Sequence, residues 1–161
     1  MKAIRLATLC VILLMVTALH AQNSYSTPRY DLKAYGTGIE STYAAEIFVY
    51  LPKPNKNVDA SIRKAAIHGV LFKGLTAANG GGSQRPMVSA QTEQQHTDFF
   101  SGFFSNEANY LRYVTITEGS HRVEKAEKKL YRIRAIVSIQ KDELRKYLEE
   151  QHIVESFKDL F

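Results

Sequence analysis

The residues best equipped for chemistry in this chain are His68, His96 and Asp98. Two imidazoles and a carboxylate brought together in space would make a general acid–base or metal-binding set, and such groups need not be adjacent in sequence. The spacing of His68, His96, His121 and His152 is not that of a two-histidine zinc helix, and no HExxH occurs. His68 adjoins an apolar stripe and His96 falls in the first turn of an expected helix, so structural or surface roles are the plainer reading. No metal and no cofactor are expected.

Other signatures fail for stated reasons. Gly80-Gly81-Gly82 is followed by Ser83, Gln84 and Arg85. It lacks the Gly-Lys-Ser or Gly-Lys-Thr ending that surrounds a phosphate with amides and an ammonium, and it follows a helix, so it reads as a connection. Gly36-Thr37-Gly38 precedes a strand and fails too. No Gly-x-Ser-x-Gly elbow exists, and Ser101-Gly102 sits inside a helical pattern. An enzyme built from scattered groups, such as a hydrolase gathering His68, His96, Asp98 or Arg85 in a cleft, is carried as an alternative.

Two features suggest contact surfaces. Phe99, Phe100, Phe103 and Phe104 share one broad helical face through i+3 and i+4 steps. They are either core or an exposed apolar patch that captures a partner. A cavity lined by Phe99, Phe103 and Tyr131 would make an apolar-ligand carrier. Arg122, Arg132 and Arg134 stand in a basic stretch with His121, Lys125, Lys128 and Lys129, diluted by Glu118, Glu124 and Glu127. This is a solvated face or a weak, salt-sensitive attractor of anionic envelope polymers or head groups.

The N-terminus reads as an address. Lys2 and Arg5 precede an uncharged run, Leu6 to Leu19, and Ala21 is followed by polar sequence. This is the order of a secretory signal over residues 1–21, although Leu19 stands where a small residue is preferred. The run is shorter than the roughly 20 apolar residues of a membrane span. Cleavage would remove two of the 21 Lys and Arg and none of the 16 Asp and Glu, leaving a net charge of +3. That mild charge argues against a nucleic-acid partner. The only cysteine, Cys10, lies in the signal, so neither a disulfide nor a thiol site is expected afterwards.

Elements follow from periodicity. Residues 22–40 mix Ser, Thr, Pro and Gly and read as a flexible leader ahead of a single domain, 41–161. Ser41–Leu51 alternates as an internal strand, with Tyr43, Ala45, Ile47, Val49 and Leu51 on one face. A helix capped by Asn57 or Asp59 runs to about Thr76. Its small residues Ala65, Ala66 and Gly69 imply close approach to a sheet. Thr92 with Gln95 forms a capping box opening a helix over 93–105. Strands follow at 110–118 and 129–140, joined by a hairpin or a short helix over 119–128. In the later strand Tyr131, Ile133, Ala135, Val137 and Ile139 face one way, and Arg132, Arg134 and Ser138 the other. A helix spans 142–151, and no transmembrane segment follows the signal.

The order β-α-α-β-β-α predicts an α+β domain, a small antiparallel or mixed sheet of three to four strands with helices on one face. The stretch YRIRAIVSIQKDELRKYLEE resembles exported bacterial α+β modules of the LPP20-lipoprotein and flagellar-assembly type. The whole chain resembles uncharacterised exported proteins of Bacteroidetes-type bacteria. Neither resemblance supplies a catalytic motif. The expectation is therefore a periplasmic or extracellular domain, non-catalytic, that binds an envelope protein or surface component.

Overall fold

The computed structural model describes residues 25–54 and 56–156. The expected signal at 1–21, residues 22–24 and the end of the tail lie outside the described residues. Within them the chain folds as an antiparallel five-stranded sheet with helices on one side. The α+β class holds, with more strands than the three or four expected.

The sheet runs in the order β1-β2-β5-β3, with β4 also pairing β5. β1 is Arg29–Ala34, β2 Thr42–Leu51, β3 Val114–Ile116, β4 Arg122–Glu127 and β5 Leu130–Gln140. β2 pairs with β1 on one side and β5 on the other, which makes it internal. Residues 122–127, expected within a connection, form the strand β4, which pairs with β5 through a turn at Lys128–Lys129; the short-helix alternative does not form.

β1 corrects the reading of 22–40 as a flexible leader. RYDLKA alternates, with Tyr30, Leu32 and Ala34 buried and Arg29, Asp31 and Lys33 exposed. The pattern is only six residues long and stands between Pro28 and Gly36, whose turn character masks it. Tyr25 is buried as well, at 5 % exposure, so the folded part reaches well before residue 41.

Helix α1 (Val58–Phe72) lies across β1, β2, β3 and β5. Ala65, Ala66 and Gly69 are buried and permit this close approach. A Cβ at Gly69 would stand 2.6 Å from Leu32 Cδ2. α1 ends at Phe72, earlier than expected, because Gly74 at φ +75° turns the chain where an L side chain is strained.

The expected 93–105 helix divides at His96 into α2 (Ala90–Gln95) and α3 (Thr97–Ser105). The cap of α2 is Ser89, whose Oγ accepts the Thr92 N–H at 3.0 Å, in place of the Thr92 box. Helix α4 (Glu107–Leu111) takes up the start of the expected 110–118 strand, and only β3 remains extended. Helix α5 (Lys141–Glu150) follows β5 directly and buries Leu144 and Leu148.

The four phenylalanines settle where the core sits. Phe100, Phe103 and Phe104 are buried and Phe99 is half-buried. Their ring neighbours are Tyr25, Phe72 of α1, Tyr110 of α4 and Tyr147 of α5. The rings belong to the same core cluster as the buried face of the sheet, where each fully buried ring contributes about 1.5–3 kcal/mol. An exposed apolar capture patch is not what they make.

Candidate functional site

The strand alternation that buries one side of the sheet sends the other side to solvent. Along β1 that side carries Arg29, Asp31 and Lys33, and along β2 it carries Glu46, Phe48 and Tyr50. On β5 it carries Arg132, Arg134 and Ile136, and on β4 Arg122 and Glu124. Registration arranges these into rows across the strands. Arg29, Tyr50, Arg132 and Glu124 stand side by side, and the next row is Asp31, Phe48, Arg134 and Arg122.

Contacts join directly opposite residues, as in Arg132–Glu124, and diagonal neighbours, as in Tyr50–Asp31 and Arg134–Glu46. The Tyr50 hydroxyl donates to Asp31 Oδ2 at 2.9 Å. Arg132 donates to Glu124 Oε2 at 2.5 Å and Arg134 to Glu46 Oε1 at 2.5 Å. Glu46 also accepts Asn79 Nδ2 at 3.2 Å and is 8 % exposed, a buried carboxylate made tolerable by two donors.

Aromatic faces hold Arg29 and Lys33 and also flank Arg132. The Arg29 guanidinium lies 4.7 Å from the Tyr50 ring centroid. Phe48 has Lys33 at 5.7 Å and Arg132 at 5.4 Å. These distances are within cation–π range, which orients a charge while leaving it solvated. The hydrogen bond to Asp31 raises the Tyr50 pKa, since a carboxylate acceptor stabilises the protonated phenol. The Glu124 contact raises that of Arg132 for the mirror reason.

Arg122, Arg132 and Arg134 are therefore gathered on one face. Arg122 donates to the carbonyls of Gly119 and His121, at 3.0 and 2.7 Å. Arg29, Lys33, Phe48 and Tyr50 were missed as partners of these arginines. Alternation in RYDLKA and TYAAEIFVYL was the available signal, but register alone decides which residues stand beside Arg132.

His68, His96 and Asp98 are not brought together. Among the described residues none of the three is hydrogen bonded or ion-paired to another. His68 lies inside the aromatic layer, with its Nδ1 2.7 Å from the Tyr30 hydroxyl and the rings of Tyr25, Phe72 and Phe104 around it. Burial, followed by Lys73 and Lys64, pushes its pKa down to about 4, so it is neutral at pH 7. His96 sits at the break between α2 and α3, and Asp98 is exposed on α3.

No family model, no curated protein and no solved structure matches this chain. The site must be read from its own geometry.

Grooves beside β1, under the glycine loops, beside α1 and on α5 have none of His68, His96, Asp98 or Arg85 in their walls. Among the described residues no three His, Cys, Asp or Glu side chains converge to hold a metal ion. Phe103 is occupied by ring packing against Tyr110 and Tyr147, while Tyr131 pairs with Leu51 on the sheet. Among the described residues, no helix is long and apolar enough to cross a membrane.

Proposed function

We propose that this chain is an exported, non-catalytic domain that binds a negatively charged envelope protein or surface component through the open face of its sheet. One observation carries the reading. Five cations (Arg29, Lys33, Arg122, Arg132 and Arg134) share that face with three acids, each already engaged: Asp31 by Tyr50, Glu46 by Arg134 and Asn79, Glu124 by Arg132. The surplus is positive, spread over β1, β4 and β5, with Arg29, Lys33 and Arg132 steadied on Phe48 and Tyr50. Such a surface attracts anions, and the attraction falls with ionic strength. Export is supported by the basic and apolar order of residues 1–21.

The test is affinity capture from envelope extracts by the wild type and an R29E/R122E double variant. Both substituted residues are exposed and lack a carboxylate partner among the described residues. Expected is capture that weakens several-fold on going from about 50 to about 300 mM salt and is lost in the variant. Capture that the variant retains in full would move the contact to another surface.

A further inference from the structure

We infer that the outer edge of β1 accepts an extended acidic segment of a partner protein as an added strand. This goes beyond the sheet-face reading and rests on different atoms.

The register fixes which backbone groups look outward. Tyr35 N–H donates to Ala44 O at 2.9 Å, continuing a β1–β2 ladder through the odd-numbered residues of β1. The even-numbered residues therefore aim their N–H and C=O groups away from β2. Two of those groups are used. Ala34 N–H donates to Thr76 O at 2.8 Å, and Leu32 O accepts the Thr76 hydroxyl at 3.0 Å. The Tyr30 N–H, the Tyr30 C=O and the Leu32 N–H have no partner among the described residues.

A strand has begun to form here and then stops. Lys33 and Thr76 make one parallel bridge, but Gly74 at φ +75° carries the preceding residues away from β1. Their divergence opens a groove of about 500 Å³ between Tyr30–Lys33 and Lys73–Thr76. Four residues of β1 span about 13 Å, enough for a short added strand. The edge of β4 differs, since it is interrupted by a bulge between Lys125 and Glu127 that blunts pairing. β1 has neither a bulge nor an internal proline.

The charges select the occupant. Lys33 and Lys73 line the groove, each over an aromatic ring, and neither has a carboxylate partner among the described residues. The one acid in the walls, Asp31, accepts the Tyr50 hydroxyl. Tyr30 and Leu32 turn their side chains into the core, at 6 % and 7 % exposure. The edge thus offers hydrogen bonds and positive charge, with no apolar pocket to select a bulky side chain.

The probe is a capped Glu-Val-Glu-Val-Glu peptide, compared with the same peptide N-methylated on alternate residues, which keeps the charge and removes donors. Amide hydrogen exchange at Tyr30 and Leu32 is read by NMR on the purified chain. Expected is slowing of about ten-fold or more with the unmethylated peptide and none with the methylated one. A K73Q variant, altered at an exposed position, should weaken binding several-fold with only a small change in the urea midpoint. Unchanged exchange at both amides, or equal binding of the two peptides, overturns the proposal. Perturbation confined to Arg29, Arg132 and Arg134 would also overturn it while leaving the sheet-face reading standing.

Discussion

The Tyr30 hydroxyl lies 2.7 Å from Nδ1 of His68, joining the sheet to α1 through a polar contact inside an aromatic layer. The Lys73 ammonium stands 4.1 Å from the centroid of the same Tyr30 ring, which adds a positive field to the burial of His68. Both effects favour the neutral imidazole.

Acid should therefore destabilise the fold through His68. Its folded pKa is about 4, against 6.5 for the free side chain, so the unfolded chain takes up a proton first as pH falls. Stability from this group is complete above pH 6.5 and declines between there and pH 4. Solvent reaching the ring tempers the loss to about 2 kcal/mol. Urea unfolding at pH 7.5 and pH 4.5 checks this: the wild type should lose more stability on acidification than an H68N variant.

The phenylalanines differ in burial and should differ in cost. F100A and F104A each remove a fully enclosed ring and should destabilise by about 3–5 kcal/mol. F99A, at a half-buried position against Phe100 and Tyr147, should cost about 1–2 kcal/mol. Denaturant midpoints at constant slope measure the difference.

Two ion pairs on one sheet face should behave unlike each other. Glu46 has an 11 % exposed side chain and two donors, so E46A strands Arg134 and Asn79 and should cost about 1–3 kcal/mol. Glu124 is 56 % exposed, and E124A should change stability by less than about 0.5 kcal/mol. Salt should diminish the small effect before the large one.

Gly69 sets the distance between helix and sheet. In G69A the new methyl would stand 2.6 Å from Leu32 Cδ2 and 3.2 Å from Tyr30 Cε2. Despite alanine's better helix propensity, the variant should lose about 1–3 kcal/mol and lower the melting temperature.

The amino-acid order alone determined much of the layer arrangement. Alternation placed Ala45, Ile47 and Val49 opposite Phe48 and Tyr50, and Ile133, Ala135 and Val137 opposite Arg132 and Arg134, as the strands are built. The small residues of α1 announced its approach to the sheet. Periodicity works here because it assigns each side chain to a side of its own element, which is a local property. Tertiary structure decided what stands across from each side. β1 is too short to declare itself between Pro28 and Gly36, and becomes a strand by pairing with β2. Tertiary packing also sets the phenylalanine rings against Phe72 of α1 and Tyr147 of α5, and register sets Arg29 and Lys33 among the arginines. Register and docking join residues far apart along the chain, so their energies depend on neighbours that no local window contains.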